Sequence, residues 1–132
     1  VMMANGVYLT DADWHDSYDR TAAGRRAPIA IGDNVWLGDS VIVCKGVAIG
    51  DNSIIGAGAV VVDAIPANVV AAGNPARVVK TLDPNRTFKA RREWFADPAR
   101  LSRDFQIWDR ALLEGNSLGH WLRYLLGPTR RD

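Results

Sequence analysis

Aliphatic residues recur at a constant interval of six through the middle of the chain, at Ile31, Leu37, Val43, Ile49, Ile55 and Val61. Each opens a hexapeptide: IGDNVW, LGDSVI, VCKGVA, IGDNSI, IGAGAV and VVDAIP. The second position of each is small or β-branched, and the fifth is Val35, Val41, Val47, Ser53, Ala59 or Ile65. A helix returns to one face about every 3.6 residues and a strand every two, so neither explains the pattern. One short strand plus one corner does. With the first and fifth positions turned inward, each unit supplies one side of a three-sided prism, and coils of about 18 residues stack at the interstrand spacing of about 4.8 Å. Gly-Asp-Asn at 32–34 and again at 50–52 suits the corners, because these residues tolerate positive φ and turn the chain with short polar side chains. Six units are read as keeping register from 31 to 66. Val1 and Val7, also six apart, point to an earlier coil entered part way through. The chain is expected either to be a truncated product or to lean on neighbouring subunits for its ends.

Charge separates this region from the C-terminal part of the chain. The whole chain of 132 residues carries a net charge of +1, which fits one soluble globular domain. Residues 1–76 hold four basic residues against eight aspartates, and residues 77–132 hold twelve basic against seven acidic. A solenoid over residues 1–80 and a helical extension over 81–132 are expected. Asp97-Pro98 reads as a cap and first turn, and Leu101, Phe105, Trp108 and Leu112 come after it at helical spacing up to Gly115-Asn116. Ser117 opens a second helix through Leu118, Trp121, Leu122 and Leu125 to Gly127-Pro128, and a short helix is expected around Phe88 to Phe95. No apolar run approaches the roughly 18 to 20 residues of a membrane span, and the start lacks the layout of a signal peptide. The expected location is the cytoplasm. One cysteine, Cys44, and two histidines give neither an intrachain disulfide nor an ordinary zinc cluster. No metal is expected.

The period breaks between about residues 11 and 28, where a polar loop containing His15 and Arg20 is inserted. Loops projecting from rigid scaffolds are where function concentrates. His15, Arg20, the run Pro28-Ile-Ala-Ile-Gly-Asp-Asn-Val-Trp36, the run from Gly46 to Gly58, Ile65-Pro66 and Ala72-Gly-Asn-Pro-Ala-Arg77 appear in that order. This set, over residues 13 to 80, resembles the hexapeptide-repeat acyltransferases, in the branch of galactoside, maltose and nodulation-factor acetyltransferases. The resemblance implies a mainly β fold, the left-handed parallel β-helix. It also implies acetyl transfer from acetyl-CoA to a saccharide hydroxyl, in a homotrimer whose flat sides meet and whose sites lie between subunits.

Within that resemblance His15 is the general base. A sugar hydroxyl is a poor nucleophile at neutral pH, and imidazole, with a reference pKa near 6.5, can take its proton as the bond forms. One of Asp11, Asp13 and Asp16 is expected to hold the other ring nitrogen. Asp13, Asp16, Arg20 and Trp36 are assigned to the acceptor, with Trp36 turned outward to wall the acyl site or to pack between subunits. The resemblance places Asp39 near the oxyanion and donor, Ala57 beside the pantetheine arm, and Arg77 and Lys80 near the phosphates, where cations suit an anionic donor. Two positions depart from the family pattern. Val62-Asp63 stands where relatives have Thr-Lys, removing a cation and adding an anion, and Asp16 stands where many sugar acetyltransferases have proline.

Other readings are open to the same residues. Transfer to the amine of an amino sugar would use the same base, and a trimeric scaffold without catalysis would result from loss of donor binding. A γ-class carbonic anhydrase shares the repeat but needs three metal-binding histidines. His120 is read as a packing or surface residue. The apolar stripes of the C-terminal helices are read as packing faces. Their arginines, interleaved with Trp94, Trp108 and Trp121, give peripheral contact with an anionic membrane, at its inner face, as the alternative. Nucleic acid is not expected as a partner, given the small net charge and the lack of a motif.

Overall fold

A computed structural model describes residues 1–127. Ten strands are followed by three helices: β1 Met2–Met3, β2 Tyr8–Leu9, β3 Ala30–Ile31, β4 Trp36–Leu37, β5 Ile42–Val43, β6 Ala48–Ile49, β7 Ile54–Ile55, β8 Val60–Val61, β9 Val69–Ala72, β10 Arg77–Thr81, α1 Arg92–Phe95, α2 Pro98–Leu112 and α3 Leu118–Leu126. The strands fall into three sheets, visited in rotation: β1-β4-β7-β9-β10, β2-β5-β8 and β3-β6. Every pair is parallel except β9 with β10. Within the repeat the partner lies 18 residues on: Ala30 with Ala48, Trp36 with Ile54 and Ile42 with Val60. Below it, Met2 pairs with Trp36 and Tyr8 with Ile42, a step of 34 residues. The inserted loop adds length without disturbing the stack.

The six-residue spacing decides which side chains are inside. Fifth-position Val35, Val41, Val47, Ser53, Ala59 and Ile65 are all buried, as are first-position Leu37, Val43, Ile49, Ile55 and Val61. Ile31 and Val7 are half-buried against them. Each fully buried valine, leucine or isoleucine contributes roughly 1.5–3 kcal/mol of transfer free energy. Trp36, at a sixth position, stands outside and is 46% exposed. The corners turn at the fourth position of each unit, where Asn34, Ser40 and Asn52 have positive φ. The second position stays small because coils touch there: a Cβ on Gly38 would lie 2.7 Å from the backbone nitrogen of Ala57. Asparagines in stacked corners join side chain to side chain, with Asn34 donating to Asn52 at 3.1 Å and Asn52 to Asn68 at 3.1 Å.

The sixth unit departs from the expected register. Ile49 bridges to Ile65, Ile54 pairs with Val70 and Ile55 with Ala71, so the last coil takes 16 residues rather than 18. Two residues are lost between Val61 and Ile65. The buried Ser53 meets the change, its hydroxyl donating to the Pro66 carbonyl at 2.8 Å. A buried hydroxyl left unpaired would be costly. Beyond Ala72 the chain reverses through residues 73–76, with a cis Asn74–Pro75 peptide, and β10 returns antiparallel along β9.

The chain divides into two compact units, Val1–Phe88 and Lys89–Asp132. In the second, Asp97 caps α2 by accepting from the Arg100 amide at 2.9 Å, and Ser117 caps α3 by accepting from the His120 amide at 3.2 Å. The helix expected from Phe88 to Phe95 is one turn only, Arg92–Phe95. The expected stop at Pro128 lies outside the described residues. Trp94, Phe105 and Trp108 form a cluster, with Trp94 and Trp108 centroids 5.2 Å apart and the Arg91 guanidinium 5.5 Å from the Trp94 ring. Among the described residues no helix is long and apolar enough to cross a membrane.

Candidate functional site

The inserted loop leaves β2 on the second sheet and returns to β3 on the third. Its legs pair: the Asp13 amide donates to the Arg25 carbonyl at 2.8 Å, the Ala27 amide to the Asp11 carbonyl at 2.9 Å, and Ala12 bridges antiparallel to Arg26. Gly24 packs against Asp13 so closely that a Cβ on it would collide with the Asp13 carbonyl. Two contacts moor the base to the adjacent corner. Lys45 Nζ donates to Asp13 Oδ1 at 2.7 Å, and the Gly46 amide donates to the Ala27 carbonyl at 3.2 Å.

At the tip the aspartates shape the backbone. Asp16 Oδ1 accepts from the amides of Tyr18 at 2.8 Å and Asp19 at 3.1 Å. The Tyr18 bond first, then the Asp19 bond, holds the Asp16 carboxyl below the ordinary carboxylate range. Asp19 is lowered in the same way by the Thr21 hydroxyl and then the Thr21 amide. These bonds favour the charged form. His15 is exposed, and its Nδ1 lies 2.9 Å from the Asp16 carbonyl oxygen. A carbonyl only accepts, so Nδ1 is the donor, and in the neutral ring Nε2 is the nitrogen that carries the lone pair. The partner expected at this ring nitrogen was a carboxylate. The backbone carbonyl takes that place because the Asp16 carboxylate is turned to the Tyr18 and Asp19 amides. Arg20 is exposed on the same loop. Trp36 lies on the first sheet, its Cα opposite Met2 and Ile54, away from the strands between which the loop is inserted.

A second group of the expected residues lies along one column of corners. Asp39 and Ala57 occupy stacked turns, joined by the Gly58 amide donating to the Asp39 carbonyl at 2.8 Å. Asp39 Oδ1 also accepts from the Asn5 amide at 3.1 Å. The next corner up is Gly73, whose carbonyl accepts from the Val60 amide at 3.0 Å. Arg77 then opens β10, and Lys80 lies further along that strand opposite Val70. Asp39 and Ala57 are thus brought together, with the cations on the strand that leaves the top of their column. Arg77 Nη1 donates to Asp63 Oδ2 at 3.1 Å and to the Ala76 carbonyl at 2.9 Å.

Lys45 and Asp63 acquire partners here that sequence reasoning did not supply. The signal for Lys45 was that it is the one cation between residues 29 and 76. The face of the third sheet carries a shallow groove lined by Ala30, Ala48, Ala64, Pro66 and Ala67, with Asp51 at its edge. Among the described residues no group of three or more histidine, cysteine, aspartate or glutamate side chains could hold a metal ion.

Residues 28–63 match the family described as bacterial transferase hexapeptide (six repeats). The chain is 57% identical over 56 residues to the galactoside O-acetyltransferase of Escherichia coli (strain K12), covering 42% of this chain and 28% of that relative. It resembles the crystal structure of a maltose O-acetyltransferase from Clostridium difficile 630 with a TM-score of 0.58 and 46% identity, covering 62% of this chain and 45% of the other. A galactoside acetyltransferase in complex with coenzyme A matches with a TM-score of 0.55 and 41% identity, over 66% of this chain and 46% of that one. The chain thus spans less than half the length of each of these relatives. Repeat, parallel three-sheet stack and likeness agree: residues 28–63 carry the hexapeptide repeat of bacterial transferases, and the chain is similar over part of its length to galactoside and maltose O-acetyltransferases.

Proposed function

We propose that the chain transfers an acetyl group from acetyl-CoA to a hydroxyl of a saccharide or glycan precursor, in a ternary complex with His15 as general base. The observation that carries this reading is the bond between His15 Nδ1 and the Asp16 carbonyl, which leaves Nε2 as an exposed acceptor on a moored loop. The acceptor oxygen attacks the thioester carbonyl carbon as its proton passes to Nε2. The carbon–sulfur bond then breaks and the proton is returned to the sulfur, giving the ester and the free thiol. A positioned base of this kind contributes roughly 10²–10⁴-fold. Asp13, Asp16, Arg20 and Trp36 are assigned to the acceptor side. Asp39, Ala57, Arg77 and Lys80 are assigned to the donor, and the choice of coenzyme A as donor is supported by the likeness to a coenzyme A complex.

The scaffold in this proposal is a left-handed parallel β-helix that works as a homotrimer with sites between subunits. His15 and Trp36 spring from different sides of the stack, and a second copy would bring the loop of one against the face of another. The alanine-lined groove of the third sheet is an open surface that a neighbour would cover in this arrangement.

The test is thiol release from acetyl-CoA across a panel of sugars and amino sugars, with mass spectrometry of products to separate ester from amide. His15→Ala is expected to lower turnover by at least 10²-fold and to leave the far-ultraviolet spectrum unchanged. Wild-type turnover in that variant would overturn the assignment of the base. The Arg77–Asp63 pair favours one alternative, a scaffold that has lost its donor. Absence of coenzyme A binding at millimolar concentration would support that reading instead.

A further inference from the structure

We propose that Asp63 lowers the affinity for the anionic donor by holding Arg77 in an ion pair with which a donor phosphate must compete. The proposal rests on the reading of Arg77 as a donor contact. Arg77 and Lys80 are the only cations between residues 46 and 81, and both stand on β10. Asp63 lies 3.1 Å from one of them.

The geometry also limits the guanidinium. Both hydrogens of Nη1 are used, one on Asp63 Oδ2 and one on the Ala76 carbonyl. An arginine grips a phosphate most strongly through two parallel N–H bonds; while Asp63 is in place the Nη1–Nη2 pair cannot supply them, and the Nε–Nη2 edge alone is left to a phosphate. The two side chains are 61% and 65% exposed, and exposed pairs of this kind are weak. A phosphate, with more charge and more acceptor oxygens than a carboxylate, can displace Asp63 at a cost in affinity. Asp63 therefore opposes binding twice, by occupying Arg77 and by repelling the incoming charge. The shortened coil explains its position. Loss of two residues between Val61 and Ile65 leaves Asp63 in the segment across which Arg77 reaches back.

The experiment is isothermal titration of the full chain with coenzyme A and with 3′-dephospho-coenzyme A, using wild type, Asp63→Asn, Arg77→Gln and the double variant, each checked for unchanged Tm. Asp63→Ser serves as a second replacement if the asparagine variant folds poorly. Expected is an about two- to five-fold lower Kd for Asp63→Asn, from the strength of exposed pairs, with most of that gain absent in the Arg77→Gln background. A gain seen with coenzyme A and not with the dephospho form assigns the 3′-phosphate as the displacing group. A gain with both assigns the pyrophosphate. An unchanged Kd in Asp63→Asn, or a gain kept in full without Arg77, overturns the proposal while leaving the donor reading intact. Failure of all four proteins to bind either ligand at millimolar concentration overturns the donor reading, and this proposal with it.

Discussion

Lys45 Nζ lies 2.7 Å from Asp13 Oδ1, joining a corner of the repeat to the base of the loop that carries His15. The two residues are 32 apart in sequence. The lysine side chain is 30% exposed and the aspartate 47%, so the pair is worth little to global stability, about 0.2–1 kcal/mol. Its consequence is local, because the Gly46 amide beside it donates to the Ala27 carbonyl at the other leg of the loop. Lys45→Met is expected to leave Tm within about 2 °C of wild type and to speed hydrogen exchange at the Asp13, Ala27 and Gly46 amides several-fold. Unchanged exchange at all three would show that the backbone bonds alone moor the loop.

Gly24 is a steric requirement of the same loop. A Cβ there would meet the Asp13 carbonyl group, its carbon at 2.7 Å, and the Asp13 Cβ at 2.6 Å. Gly24→Ala is expected to cost about 1–3 kcal/mol in the loop and to perturb the amide resonances of residues 12–26, with those of Val43 and Val61 unmoved. Under the proposed function, acetyl transfer should fall with it, since His15 is carried on the displaced segment.

The Asp16 carboxylate gives the loop tip a dependence on acid. Its folded-state pKa lies below the ordinary value, chiefly through the Tyr18 amide and then the Asp19 amide. A group depressed on folding stabilises fully above its unfolded pKa of about 3.9, and that contribution is lost as pH falls through the folded value. The Tyr18 and Asp19 amide shifts should therefore titrate below about pH 4, while the core resonances hold. Asp16→Ala should remove the titration from both amides.

Ser53 is fully buried, and its hydroxyl is paired with the Pro66 carbonyl where the last coil is short. Ser53→Ala leaves that carbonyl without this donor, at an expected cost of about 1–3 kcal/mol. Chemical denaturation should show a lower midpoint at an unchanged slope. A neutral result would mean that water reaches the carbonyl.

How much was legible in the sequence differs from residue to residue. The burial of Leu37, Val43 and Ile55, the outward Trp36 and the corners at Asn34 and Asn52 stem from a spacing repeated in every unit. So does pairing at a step of 18. The caps at Asp97 and Ser117 were legible for the same reason, since a cap is decided within about three residues. The loop at 11–28 and its histidine appeared as an interruption of the period. The tautomer of His15 did not, because it depends on which acceptor the folded loop turns toward the ring.

The repeat by itself determined that the chain stacks short parallel strands in three sheets around an aliphatic interior, because each residue's side of the prism is set by its place in a six-residue count. Only the tertiary structure decided the rest. The two-residue loss before Ile65, the pairing of Asp63 with Arg77 at a separation of 14 residues, and that of Lys45 with Asp13 at 32 join segments whose distance apart is fixed by how coils stack. A local period carries no information about which charged side chains those coils bring within reach of one another.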